Sequence, residues 1–191
     1  YKCLKGAEIF SIKKPNVNFK IFGEKKIIEN IFLQKKINLI NYEIINCDEN
    51  VSDEDNANTI LRSRKESSIF KGLKYVKENK DTGFVSAGNT AALMILSRLI
   101  LGMIDGVDRP AICSNIPNKN SFSLMMDLGA NVYVNANNLM QFALMGYSYF
   151  SIIDPKRKPK ITIDKEWAQK LQDLTAQQIT LHISQVLEYE K

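Results

Sequence analysis

Histidine is nearly absent from this chain of 191 residues, with His182 as its single example. A Ser-His-Asp triad or a Cys-His pair uses an imidazole as its general base, so any such centre would depend on this one residue. His182 lies in an amphipathic stretch with nothing nearby in the sequence to orient it, and we expect it on the surface. Catalysis through a histidine base is therefore disfavoured.

Cysteine is also scarce, since the chain has only Cys3, Cys47 and Cys113, far apart and without a C-x-x-C pair. An odd number at such distances, with no histidine close by, disfavours a zinc site or a disulfide framework. A reducing cytosol is then the expected compartment. Cys113 falls in an apolar strand pattern, and we expect it to be a small core residue.

Long apolar runs and a strong charge of one sign are missing too. The longest apolar stretch, 91–104, contains Arg98 and is too short to span a bilayer, and no secretory signal is visible. Lysine and arginine number 26 against 21 acidic residues, and four of the five excess charges lie within 156–160. The remainder is near neutral, which disfavours a nucleic-acid-binding surface.

The composition is otherwise that of a folded domain, with 45% hydrophobic and 25% charged residues. The sequence begins at Tyr1 rather than Met, inside a predicted helix, so we expect it to be part of a longer protein. We expect residues 1–161 to form one partial α/β domain and residues 162–191 a helical tail.

Hydrophobic periodicity predicts helices that alternate with strands. Helices are predicted over 1–14, 24–35, 58–64, 67–79, 90–101 and 137–150, and strands over 18–22, 42–45, 83–86, 111–116 and 122–127. This alternation is typical of βαβ units, so the predicted fold class is α/β with a mostly parallel sheet.

The segment Ser86-Ala87-Gly88-Asn89-Thr90 is predicted to join a strand to a helix. Backbone N–H groups and the helix dipole converge at such a turn, which favours an anion such as phosphate. Gly88 permits close approach to the backbone, while Asn89 and Thr90 add side-chain donors. The alternative is a plain turn in which Asn89 or Thr90 caps the helix, and the pattern leaves both interpretations open.

Three further segments contain groups that could meet a ligand. Asp127 and Asn131 flank a glycine turn and could face one cleft, although the spacing rather favours a turn cap at Asp127 and a left-handed Asn131. Arg64 and Lys65 precede two serines and suit an anionic ligand or an acidic partner, although charges at helix ends are more often simply solvated. In 106–110 the expected role of the Asp-Arg pair is to pin the loop by an ion pair.

Together these segments resemble the bacterial phosphate acyltransferase family known as PlsX. The resemblance runs from about residue 5 to about residue 161, and its most specific motifs are 84–90, 106–111, 127–132 and 141–146, with 64–68 as a further match. It implies a three-layer α/β/α fold related to the isopropylmalate dehydrogenase and phosphotransacetylase folds. It also implies a reaction in which acyl-acyl carrier protein and inorganic phosphate give acyl phosphate for phospholipid synthesis.

The resemblance also implies the site and the partners. The catalytic candidates are Asn89, Asp127 and Asn131, and the phosphate-binding candidates are Ser86, Gly88, Thr90, Arg64 and Lys65. No cofactor or metal is expected, because inorganic phosphate is itself an anionic nucleophile. The expected partners are acyl carrier protein, phosphate and a second copy in a homodimer, in the cytoplasm or loosely on the membrane, without nucleic acid.

The sequence departs from the family pattern at several points. Ala91 stands where the family usually has glycine, and Tyr133 where an acidic residue is common. The family's opening Asp-Ala-Met-Gly-Gly-Asp motif and its later Asn-x-Gly segments are not in this sequence. A non-catalytic α/β module that binds acyl carrier protein or a sister subunit, through the basic segments near 62–65 or 156–160, is therefore the alternative. A dehydrogenase is disfavoured because no G-x-G-x-x-G follows a strand.

Overall fold

The computed structural model describes residues 1–52, 55, 59–60, 65–119, 121–129, 131 and 133–162. The chain divides into two compact units, Tyr1–Gly102 and Met103–Lys191. The first contains α1 (Lys2–Lys13), β1 (Phe19–Gly23), α2 (Lys25–Lys35), β2 (Tyr42–Asn46), α3 (Ser68–Glu78) and α4 (Thr90–Ile100). The second contains β3 (Cys113–Pro117), β4 (Phe122–Met126) and α5 (Ala136–Ile153). The predicted tail and its His182 lie outside the described residues, as does most of the helix predicted over 58–64.

Strands β1 and β2 pair in parallel, with α2 as the crossover between them. Their register runs from Phe19 opposite Tyr42 to Gly23 opposite Asn46. The side chain of Asn46 accepts a hydrogen bond from the backbone N–H of Lys25, at 3.0 Å, and so satisfies a donor at the start of α2. This βαβ unit confirms the predicted α/β class.

The core of the first unit lies between α3 and α4. Apolar residues four positions apart lie on one face of each helix, which explains why this face is buried. The buried residues of this cluster are Ile60, Ile69, Leu73, Ala92, Leu96 and Ile100. Phe84 packs against the cluster from the segment that precedes α4.

The strand predicted over 83–86 is wrong, because this segment is irregular in the structure. The Phe84 ring packs into the unit, 6.5 Å from the Phe22 ring between centroids, whereas Val85 is 89% exposed. Strand hydrogen bonding requires a neighbouring strand, and no strand of the described residues pairs with this segment. The segment that was predicted as a short buried strand therefore contains a single packed side chain, the half-buried Phe84.

The second unit corrects the prediction of a mostly parallel sheet. Strands β3 and β4 form an antiparallel hairpin, in which Cys113 lies opposite Met126 and Pro117 opposite Phe122. Only four residues separate the two strands, and a parallel connection needs a crossover of a dozen or more. The expectation of a buried Cys113 is also wrong: every residue of β3 is exposed.

Helix α5 packs on β4 in the second unit. Asn135 and Asn138 form a capping box at its start. Gly146 is close to β4, where a β-carbon would lie 3.2 Å from Cγ of Met126. No helix in the described part of the chain is long and apolar enough to cross a membrane.

The buried carboxylate of Glu8 links α1 to the segment after α2. It pairs with the ammonium of Lys5 and accepts a hydrogen bond from the backbone N–H of Asn38 at 2.7 Å. These contacts, the Lys5 hydrogen bond first, lower the pKa of Glu8 below its ordinary value of 4.5.

We therefore expect Glu8→Gln to reduce stability at neutral pH, because the ionised carboxylate is the form that the native state favours. Since the folded-state pKa is lowered, this stabilisation is complete above pH 4.5 and is lost as the pH falls through the lowered pKa. Urea unfolding at several pH values should show the two proteins converging in stability at acid pH. A difference that is independent of pH would contradict an ionic role for Glu8.

Candidate functional site

The carboxyl edge of the β1–β2 sheet lies against the start of α3. Lys71 donates a hydrogen bond from Nζ to the carbonyl oxygen of Asn46, at 3.0 Å. Glu49, shortly after β2, forms a parallel β-bridge with Ser67 and accepts the N–H of Glu66 at 2.9 Å. The edge at which parallel α/β sheets bind ligands is thus connected to a helix N-terminus.

Ser67 is the N-cap of α3 and is fully buried. Its hydroxyl oxygen accepts a hydrogen bond from the N–H of Phe70 at 3.3 Å, and its carbonyl accepts the N–H of Lys71 at 3.0 Å. Ser67, the first serine of the 64–68 motif, therefore has a structural role, because as an N-cap it pairs with a backbone N–H group that the helix leaves without a partner.

Lys71 is a residue of this edge that the sequence analysis missed. Its ammonium is 2.6 Å from a carboxylate oxygen of Glu66, and this contact raises the pKa of Lys71. Burial raises the pKa of the nearby Cys47 thiol, although the charge of Lys71 opposes that shift. Cys47 is therefore protonated at neutral pH and does not serve as a nucleophile. Lys71 follows the capping Ser67 by one helical turn, and this spacing was the signal available in the sequence.

The 86–90 segment has a defined pattern of hydrogen bonds. The N–H of Gly88 donates to the hydroxyl of Ser86 at 3.1 Å, so this predicted phosphate donor is used within the turn. Asn89 is the N-cap of α4, because its Oδ1 accepts the N–H of Ala92 at 2.8 Å; a contact between this turn and a ligand stays a prediction. The backbone N–H groups of Thr90 and Ala91 are the ones that the helix leaves to a ligand or solvent.

This segment contacts the first turn of α3. A β-carbon on Gly88 would lie 3.3 Å from Cδ1 of Ile69 and 3.3 Å from the hydroxyl oxygen of Ser86. A side chain at position 88 would require Ile69 or Ser86 to move by a few tenths of an ångström, because the segment approaches Ile69 closely. The caps of two helices, Ser67 and Asn89, therefore flank a single contact within the first unit, where their N-terminal dipoles favour an anion.

The basic pair predicted before the two serines is described only in part. Lys65 is exposed, while Arg64 lies outside the described residues. A contact between these two side chains and an anionic ligand stays a prediction.

In the second unit, the structure brings Asp127 and Asn131 together. The amide nitrogen of Asn131 donates to a carboxylate oxygen of Asp127 at 2.8 Å and to the carbonyl of Pro110 at 3.0 Å. The left-handed conformation expected at Asn131 occurs instead at Asp127, with φ of 60°, and at Gly129, with φ of 74°. Asn89 belongs to the first unit, so a cleft shared with Asp127 stays a prediction.

The ion pair expected between Asp108 and Arg109 is not formed. A carboxylate oxygen of Asp108 instead accepts hydrogen bonds from the amide of Gln141 at 2.9 Å and from that of Asn137 at 3.4 Å. Arg109 donates from Nη1 to the carbonyl of Tyr133 at 2.9 Å. The two side chains do pin the loop, but each through a different neighbour.

A metal centre is not evident in the part of the chain that the structure describes. There, no group of three or more histidine, cysteine, aspartate or glutamate side chains is placed to hold a metal ion.

Comparison with known proteins gives a consistent result. Residues 2–165 match the family model described as fatty acid synthesis protein. The chain is 39% identical over 158 residues to a phosphate acyltransferase of Caldicellulosiruptor bescii, covering 83% of this chain and 47% of that protein. It is 42% identical over 147 residues to the phosphate acyltransferase of Wolbachia pipientis wMel, covering 77% and 43% respectively. It is 36% identical over 158 residues to that of Paramagnetospirillum magneticum, covering 83% and 45%.

The chain spans about half the length of the curated relatives that it matches. Its matched region contains the 64–68, 84–90, 106–111, 127–132 and 141–146 segments from which the resemblance was drawn. The chain therefore belongs to the fatty acid synthesis protein family, the phosphate acyltransferase family known as PlsX.

Proposed function

We propose that the intact protein is a phosphate acyltransferase, which transfers an acyl group from acyl carrier protein to inorganic phosphate and so supplies acyl phosphate for phospholipid synthesis. The support is the family membership, together with relatives that are named phosphate acyltransferase.

The structural observation that best supports this proposal is the contact between the 86–90 segment and the first turn of α3. Two helix N-termini, capped by Ser67 and Asn89, meet beside the carboxyl edge of a parallel sheet. Such an arrangement concentrates N–H donors and positive partial charge at one place, which suits a tetrahedral oxyanion. The N–H groups of Thr90 and Ala91, which have no partner within the helix itself, are its backbone donors.

Apart from binding the oxyanion, the protein has few chemical tasks in this reaction. A phosphate oxygen attacks the thioester carbonyl carbon, a C–O bond forms, and the C–S bond breaks as the carrier thiolate leaves and takes a proton from solvent. Phosphate is already anionic near neutral pH, so neither a histidine base nor a protein nucleophile is required. The protein must orient phosphate and stabilise the oxyanion that develops on the carbonyl oxygen. Side-chain amide groups and backbone N–H groups can do both.

In this scheme Asn89 and Thr90 contact the phosphate or the thioester, with Ser86 and Gly88 shaping the turn. Arg64 and Lys65 attract the anionic substrates. Asp127 and Asn131, which are hydrogen-bonded to each other, are the further catalytic candidates of this proposal.

We extend the proposal to the architecture of the intact protein. The family resemblance supports a three-layer α/β/α fold of the isopropylmalate dehydrogenase and phosphotransacetylase type, assembled as a homodimer. It also supports a cytoplasmic protein that associates loosely with the membrane. The parallel β1–β2 pair with its α2 crossover is the described part of the chain that agrees with such a fold.

The direct test is to incubate the intact protein with acyl-acyl carrier protein and inorganic phosphate and to trap acyl phosphate with hydroxylamine. We expect acyl hydroxamate that depends on phosphate, and a reaction with phosphate omitted is the control. Carrier protein that binds without any acyl phosphate being formed would overturn the proposal and favour the non-catalytic binding module.

A further inference from the structure

The loop 106–110 of the second unit is held firmly at Asp108. The side chain of Gln141, only 9% exposed, makes two hydrogen bonds to this one residue. Its Oε1 accepts the backbone N–H of Asp108 at 3.0 Å, and its Nε2 donates to the carboxylate at 2.9 Å. A buried amide that is paired on both sides in this way fixes the backbone and the side chain of Asp108 together.

On the other side of Arg109, the loop is fixed at Pro110. Asn131 donates to the carbonyl of Pro110 at 3.0 Å, while the proline ring restricts φ. Arg109 itself donates from Nη1 to the carbonyl of Tyr133 at 2.9 Å. Both neighbours of Arg109, and one of its own guanidinium nitrogens, are therefore fixed in position.

Arg109 is nevertheless exposed, and its charge is not compensated in the part of the chain that the structure describes. There it makes the one hydrogen bond to Tyr133, and no carboxylate lies within 4.0 Å of its nitrogens. The carboxylates of Asp108 and Asp127 accept amide donors instead. A guanidinium has five N–H donors in one plane. Most of them therefore remain for a ligand whose oxygen atoms accept hydrogen bonds in that plane.

We propose that Arg109 binds a tetrahedral phosphate oxyanion and that Gln141 and Asn131 are its positioning residues. This inference rests on the proposed function, whose substrates contain two such groups: inorganic phosphate, and the phosphate of the pantetheine arm of the carrier. A fixed guanidinium loses little rotamer entropy when it binds, which is the advantage of holding its loop at three points.

The test measures anion binding without turnover. The intact protein is titrated calorimetrically at low salt with inorganic phosphate alone and with phosphopantetheine alone. We expect Arg109→Gln to weaken at least one of these affinities by about tenfold or more, because a charged contact is lost. Arg98→Gln removes an exposed arginine of α4 and is the matched control, which should bind like the wild type.

The two titrations also distinguish the sources of the phosphate. If Arg109→Gln has a lower affinity for inorganic phosphate, Arg109 binds the phosphate that acts as nucleophile. If it has a lower affinity for phosphopantetheine, Arg109 binds the phosphate of the carrier's pantetheine arm. Wild-type protein that binds neither anion, or an Arg109→Gln variant that binds both with wild-type affinity, would overturn the inference. Because no acyl transfer is measured, these results are independent of whether acyl phosphate is formed.

The positioning role of Gln141 is tested by a double-mutant cycle. Gln141→Met keeps a side chain of similar size but removes both hydrogen bonds to Asp108. We expect it to weaken anion binding severalfold when Arg109 is present and to have no further effect in the Arg109→Gln background. A lower Tm with unchanged anion affinity would show that Gln141 only stabilises the fold.

Discussion

Asn89→Ala should slow acyl-phosphate formation by the intact protein about 100-fold or more, the loss expected when a donor to a developing oxyanion is removed. The substitution removes the amide beside the N–H groups of Thr90 and Ala91. It also removes the N-cap of α4, because Oδ1 of Asn89 accepts the N–H of Ala92. Loss of a cap costs about 1 kcal/mol of stability, so alanine alone cannot separate catalysis from folding.

Asn89→Ser separates the two roles. Serine is as good an N-cap as asparagine but lacks the amide donor. We expect the serine variant to keep a Tm close to that of the wild type and to lose most of the activity, measured as the rate of hydroxamate formation at saturating phosphate. A serine variant with wild-type activity would leave Asn89 as a helix cap and remove it from the proposed site.

Gly72→Ala should destabilise the first unit by about 2 kcal/mol, as expected for overpacking of a core. A β-carbon at this position would lie 2.2 Å from Cε2 and 2.8 Å from Cζ of Phe84, so the ring would have to move. The ring is also held against Phe22, and Phe84 leads directly into the 86–90 segment. We therefore expect the change to disturb the candidate site as well as the core.

Urea unfolding gives the measurement, and two variants are its controls. Gly6→Ala changes a glycine within α1 whose β-carbon would meet nothing within 4 Å. It should stabilise the protein by up to about 1 kcal/mol, because alanine is the better helix former. Phe84→Leu should make the Gly72→Ala change less costly by relieving the clash. A Gly72→Ala protein as stable as the wild type would contradict the packing described here.

The family could be predicted from the sequence because it is recognised by short motifs that follow one another in a fixed order along the chain. The fold class was accessible because helical and strand periods differ. The 3.6-residue period predicted α3 and α4 within two residues, and two strands separated by a helical pattern predicted the β1–α2–β2 unit. A hydrophobic pattern, however, reports which face of a segment is buried and not what covers it.

That distinction explains where the predictions failed. Residues 83–86 have the composition of a short buried strand, but the half-buried Phe84 ring packs against the helical core and Phe22, and no described strand pairs with this segment. The antiparallel pairing of β3 and β4 follows from their four-residue connection, which is too short for a parallel crossover. The length of the connection therefore predicts the pairing, whereas composition and alternation do not. Cys113 is exposed together with every other residue of β3, which its apolar neighbours in the sequence did not predict.

For the candidate site, local patterns predicted which polar residues follow a strand-like segment or precede a helix. These patterns did not determine the partners of those residues. Gln141 bonds to Asp108 across 33 residues, Lys71 to Asn46 across 25, and Asn131 to Pro110 across 21. Contacts at such separations depend on how whole elements pack, since hydrogen bonds form only when both groups arrive within about 3 Å in the right orientation. The alternation of helices and strands is therefore encoded locally, whereas the partner of each polar group depends on how elements distant in the sequence pack together.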